Sequence, residues 1–185
     1  MKKAFLLILI TFICSVNVNA QKIQFGAKAG INFATISGDN TSDIESITKF
    51  ESFGLVAEIP LSEKFSFQPE LMYSVQGFDS DEDLVLLDYL NLPLMGKYYV
   101  TKGLSLEAGP QIGYLLSAER EGTDVEDSFT AFDIGVNFGI GYKIDNGINF
   151  GARYNLGLSD INDIDGLSVK NRNGVFQLYI GYFFF

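Results

Sequence analysis

Eight stretches of this chain alternate apolar and polar residues with a period of two, and that alternation limits the fold more than any other feature. The clearest runs from Phe132 to Leu158. Phe132, Ile134, Val136, Phe138, Ile140, Tyr142 and Ile144 alternate with Asp133, Gly135, Asn137, Gly139, Gly141 and Lys143. Such a period is that of a β-strand with one apolar face. After Asp145-Asn146-Gly147 the pattern resumes as Ile148, Phe150, Ala152, Tyr154, Leu156 and Leu158. A two-residue turn would set Asp145 opposite Ile148 and mix the faces. A three-residue loop pairs Ile144 with Ile148 and keeps them pure, which predicts a type I turn with Gly147 left-handed.

The same pattern predicts strands over 23–33, 53–59, 65–75, 89–100, 104–116, 132–144, 148–158 and 176–184. Polar connections are expected over Ser37–Lys49, around Asp79–Asp83, over Ser117–Ser128 and over Ser159–Asn173. The connections between them are tight: Pro60–Lys64, Thr101-Lys102-Gly103 and Asp145-Asn146-Gly147. In an up-and-down sheet, long and short connections therefore gather at opposite ends. The turn at Gly103 pairs Val100 with Leu104 and sets Lys97 across from Glu107 on the polar face. Pro69, Pro93 and Pro110 each remove a ladder donor, so a bulge or local irregularity is expected at each.

The first twenty residues read differently. Met1-Lys2-Lys3, the apolar run Ala4–Val16 and Val18-Asn19-Ala20 have the layout of a secretory signal peptide cleaved after Ala20. Residues 21–185 then form one domain. Losing Lys2 and Lys3 and no acid takes the formal charge from −10 to −12. The chain has no histidine, and its one cysteine, Cys14, lies in the leader. The commonest general base and metal ligand and the thiol nucleophile are thus missing, so no enzyme, cofactor or metal site is expected. The acid excess leaves no basic stripe for nucleic acid.

A sheet with one apolar face needs something to cover it. In a lipocalin-like soluble barrel the apolar side chains point inward; in an outer-membrane barrel they face lipid and the polar set fills the lumen. The glycines decide for the second. Gly26, Gly30, Gly54, Gly109, Gly113, Gly135, Gly139, Gly141, Gly151, Gly157 and Gly181 all fall on the polar face, and the inside of a narrow barrel is where space is short. That face also carries Lys28, Lys97, Lys143 and Arg153 with Glu58, Glu70, Glu107 and Asp133. Four charges of each sign suit a desolvated lumen, where an unpaired charge is costly. Aromatics at both ends of the apolar face form two girdles, Phe65, Tyr98, Tyr142, Phe150, Tyr182 and Phe184 at the turn end and Tyr73, Tyr114, Phe132 and Phe176 at the loop end. The fold expected is an all-β, eight-stranded antiparallel up-and-down transmembrane β-barrel.

Three segments carry a family likeness: GAKAGINFATISG (Gly26–Gly38), FSFQPELMYSVQG (Phe65–Gly77) and YLNLPLMGKYYV (Tyr89–Val100), followed by an aromatic C-terminal strand. In that order after a leader they resemble the outer-membrane β-barrel proteins of the Bacteroidota, the PorT-like or "porin family" barrels. Asn91 stands where that family often has an acid, and Phe185 extends past the aromatic that usually ends the strand. The resemblance implies outer-membrane lipid as the surroundings, insertion machinery that reads the C-terminal strand, and an unknown surface or secretion partner. Fold does not carry function, so no activity comes with it.

The role expected is structural or interactive, through acidic outer loops. A narrow solute or ion pore is the alternative, and eight strands leave an interior about wide enough for side chains. A barrel acyltransferase or protease would need an activated nucleophile that the sequence does not offer. Asp79–Asp83 and Asp160–Gly166 lack the spacing of an EF-hand loop and read as solvated acidic loops. A membrane barrel keeps its fold in cold detergent, so gel mobility of the extracted protein should change on boiling; unchanged mobility would count against the fold.

Overall fold

The computed structural model describes residues 23–38, 44–45, 47–80, 83–161 and 171–184. The expected leader, residues 1–20, and the acidic segment 162–170 lie outside them. Eight long strands follow one another: β1 Gln24–Gly38, β2 Ile47–Pro60, β3 Phe65–Ser80, β4 Asp83–Tyr99, β5 Leu104–Arg120, β6 Phe132–Lys143, β7 Ile148–Gly157 and β8 Asn171–Phe183. Each pairs antiparallel with its sequence neighbour, and β1 pairs with β8 from Gly26–Phe183 to Gly38–Asn171. The sheet is therefore closed. A closed ladder leaves no unpaired edge, which is the condition for a sheet to cross lipid.

Both odd-length turns form as the alternation requires. Ile144 N–H donates to the Ile148 carbonyl at 2.8 Å, and Val100 N–H to the Leu104 carbonyl at 2.9 Å. Gly147 and Gly103 take φ of +92° and +93°, a left-handed conformation that glycine adopts without a Cβ clash. At the turn end Lys102 donates to Asp145 at 2.8 Å; this contact raises the Lys102 pKa, and a pair so exposed contributes little stability.

The apolar face is outside. Phe25, Leu55, Phe138, Ile140 and Ile180 are all more than half exposed, while Lys28, Glu70, Glu107 and Arg153 are buried. This inversion of the soluble pattern excludes the lipocalin-like reading, because a water-soluble barrel would leave its whole apolar face in water. Aromatic pairs ring both ends. Phe65–Tyr98, Tyr142–Phe150 and Tyr182–Phe184 lie at the turn end, with ring centroids 4.8 to 5.8 Å apart. Phe53–Tyr73, Tyr114–Phe132 and Phe33–Phe176 lie at the loop end.

One expectation is corrected and one is made more specific. The strands run past the expected boundaries: β1 reaches Gly38, β2 starts at Ile47, β3 and β4 extend through Ser80 and Asp83, and β5 reaches Arg120. Sequence alternation fades where strands leave the lipid, but backbone pairing continues. At the prolines the expected irregularity takes the form of a lapse in the ladder and not of a bulge. Pro69, Pro93 and Pro110 each sit in a two-residue lapse of bridging whose register is the same on both sides. The bulges fall instead at Asn32/Phe33 and Asp88/Tyr89.

Glycine on the inner wall makes room for the contents. Gly141 and Gly151 face each other across β6 and β7, and a Cβ on Gly151 would stand 2.6 Å from Cζ of Tyr179. Gly151→Val should therefore lose about 1–3 kcal/mol through overpacking, read as a lower urea midpoint in lipid vesicles; an unchanged midpoint would contradict this packing.

Candidate functional site

Among the described residues, the lumen is where this chain gathers ionisable groups away from water. Inward positions on seven strands supply them, because each alternates with a lipid-facing neighbour. β1 gives Lys28, β2 Glu58, β3 Glu70, β4 Lys97, β5 Glu107, β6 Lys143 and β7 Arg153.

These seven form a single chain of alternating sign. Lys28 Nζ lies 2.7 Å from Glu70 Oε1. Arg153 grips the same carboxylate with both terminal nitrogens, at 2.9 and 2.8 Å, and reaches Glu107 at 3.3 Å. Lys97 lies 3.2 Å from Glu107 and 3.7 Å from Glu58. Lys143 closes the series at 2.9 Å from Glu58. Every carboxylate thus sits between two cations, and the fork of Arg153 suits the two oxygens of Glu70. The four cations exceed the three acids by one. The excess falls at the ends of the series: Lys28 rests 4.1 Å from the centroid of Tyr179, and Lys143 is the one member that reaches water, at 21 % side-chain exposure.

Neutral groups complete the layer. Gln68 donates to Glu70 at 2.6 Å and accepts from Lys97 at 3.1 Å. Tyr99 donates to Glu58 at 2.6 Å, and Tyr179 to Glu107 at 3.1 Å. Sequence reasoning passed over these two tyrosines, although each interrupts the polar face with an aromatic ring and could have been marked by that.

Asp133 is not among the seven. It sits at the loop end of β6, where Ser159 and Asn173 donate to its carboxylate at 2.5 and 3.0 Å. Between it and the charges lies a band of amides and hydroxyls. Asn32 donates to Ser74 at 2.9 Å, Gln177 to Asn32 at 2.9 Å, Asn137 to Gln111 at 3.1 Å and Asn155 to Asn137 at 3.2 Å. They enclose a cavity of ≈ 20 Å³, room for about one water. Above the band the inward face turns apolar. Val85, Leu87, Tyr89, Leu115 and Ala118 pack with Phe129 and Ile161, all at most 9 % exposed.

The comparisons with known proteins agree with this geometry. The profile described as "Outer membrane protein beta-barrel domain" matches residues 19–163. The chain belongs to that family. It therefore resides in the bacterial outer membrane, with lipid around its apolar face. Among solved structures, Neisserial surface protein A is similar at a TM-score of 0.56 and 16 % identity, over 89 % of this chain and 100 % of that one. Ail, the attachment invasion locus protein of Yersinia pestis, is similar at 0.55 and 12 % identity, with the same coverage. At such identities the likeness is one of fold. No curated protein sequence matches the chain.

Glu70 separates Lys28 from Arg153, so Glu70→Ala should leave two buried cations facing each other. The expected loss is about 3–5 kcal/mol, measured by urea unfolding in vesicles. Lys143→Gln, at the solvated end of the series, should cost less than half as much. Equal losses would contradict the ordered chain.

Proposed function

We propose that this protein is a closed outer-membrane barrel with a structural or interaction role, carried by its loop end. The observation that supports this most is the filled lumen: among the described residues an ionic layer, an amide layer and an apolar layer lie in series, and the cavity lined by the amides has room for about one water. A barrel of eight strands has little interior to spare, and here side chains occupy it. Residues 1–20 act as the export signal and residues 21–185 as the barrel. The tight turns face the periplasm and the long connections face outward, the usual arrangement of such barrels. The aromatic strand β8 serves the insertion machinery, and the sequence likeness supports a place among the PorT-like barrels of the Bacteroidota.

The loop end is acidic. Glu119, Glu121, Asp124 and Glu126 are exposed there beside Arg120. A structure of Ail is described as a complex with the heparin analogue sucrose octasulfate. A polyanion of that kind would meet repulsion here, so cations or a basic partner surface suit this end better.

Refolded protein in a planar bilayer should give no steady conductance at neutral pH. Sustained solute-permeable openings would overturn the closed barrel in favour of a narrow pore.

A further inference from the structure

The outer part of the wall between β3 and β5 is joined to the barrel differently from the rest. The β2–β3 ladder stops at Ser52–Ser74, and the β5–β6 ladder stops at Tyr114–Phe132 with one further hydrogen bond from Leu115 N–H to the Ala131 carbonyl. Beyond those points β3, β4 and β5 continue together, from Val75–Asp88 to Ser80–Asp83 and from Asp88–Ser117 to Val85–Arg120. Among the described residues, short pieces of the connections run beside them: Ile44–Glu45 along β3, and Thr123–Asp124 along β5 with Val125 N–H donating to the Ala118 carbonyl.

The two flanks end on one transverse row. Ser74 pairs with Tyr89, and Tyr89 pairs with Leu115. The β4–β5 bulge falls on the same row, where Leu116 is the extra residue between Leu115 and Ser117. A bulge bends the strand that carries it. Three strands that have left the β2 and β6 ladders at one row, with a bulge on β5 in that row, have a hinge line.

The packing shows which way the sheet bends. By alternation Val75 and Leu86 belong to the outer face, with Tyr73 and Leu90. Yet they pack against Ala34 and Val175, a cross-strand pair on the inner face of β1 and β8. The opposite face of the tongue puts Val85 and Leu87 into the apolar cluster with Phe129 and Ile161. An outer face can meet the inner face of the opposite wall only if the tongue lies across the mouth. Asn32, from β1, reaches past β2 to donate to the Val75 carbonyl at 3.1 Å and to Ser74 at 2.9 Å. Directly beneath is the amide-lined cavity, with Gln76 and Asn91 in its wall.

We propose that this three-stranded tongue is a hinged flap that closes the loop-end mouth, pivoting on the row Ser74–Tyr89–Leu115 and latched by Asn32. Among the described residues its contacts with β1 and β8 are apolar side chains and the Asn32 hydrogen bonds, with no backbone ladder across the seam, so it swings without breaking the barrel below. The proposal is separate from the role assigned to the loops: a flap can open over a lumen whose ionic layer stays shut.

The test uses the full barrel, refolded in micelles. The one native cysteine, Cys14, lies in the expected leader, so introduced thiols are read cleanly. Asn91→Cys, or Gln111→Cys where the first does not insert, reports access to the chamber by alkylation with iodoacetamide. The pairs Ala34→Cys with Leu86→Cys, and Val75→Cys with Val175→Cys, pin the tongue when oxidised. Heat-modifiable mobility of the reduced variants shows that each has folded. The expected results are cross-linking of at least one pair, alkylation of the reporter when the pair is reduced, and a tenfold or larger fall in its rate when the pair is oxidised. Asn32→Ala should raise the rate. Failure of both pairs to cross-link overturns the position of the tongue. A reporter that is never alkylated, or one alkylated at the same rate with the tongue pinned, overturns the hinge.

Discussion

A peptide backbone in hydrocarbon has no water to satisfy its polar groups, and the closed ladder between β1 and β8 is how this chain meets that constraint. The rest follows from it. Closure at eight strands fixes a narrow interior, and the requirement that the outer face be apolar sends the charged side chains from Lys28 to Arg153 inward. Gly141 and Gly151 stand opposite each other because Tyr179 and Glu107 need the space their side chains would take.

Filling so small a space with charge is favourable only if the charges are arranged. Removing an ion from water costs several kcal/mol or more, and one partner rarely returns that in full. The chain from Lys28 to Lys143 gives each carboxylate two cations, with Tyr99, Tyr179, Gln68 and Ser105 taking remaining hydrogen bonds. An alternating series of odd length must carry one excess charge. Placing Lys143 last, beside water, is where that excess costs least. The lumen then grades from ions to amides to an apolar seal, and the seal is made by strands that have left the lipid.

Much of this was legible in the sequence, and what was not has physical reasons. Alternation fixed the faces, and the purity of the faces fixed the turns at Gly103 and Gly147. Local register gave Lys97 against Glu107 directly. The partners of Arg153 were out of reach: Glu70 lies across the lumen, and Glu107, in the same row on the far side of Gly139, is brought there by the β5–β6 register, which a long connection leaves open. Asp133 shared the parity of the other charges but not their height. The tongue was hidden for a different reason: in Leu84-Val85-Leu86-Leu87 both faces are apolar, so the period of two gives no signal. A sheet covered on both sides reads that way, and Val85 and Leu86 are covered from opposite sides.

The central claim is that the apolar face meets lipid while the charged face is sealed inside. The chain contains no tryptophan, so a single introduced one reports its own surroundings. Phe138→Trp, on the outer face, should be quenched by bilayer lipids brominated along their acyl chains and untouched by aqueous iodide, and Tyr179→Trp, among the buried ions, should escape both. Quenching of Phe138→Trp by iodide, together with quenching of Tyr179→Trp by brominated lipid, would contradict the account.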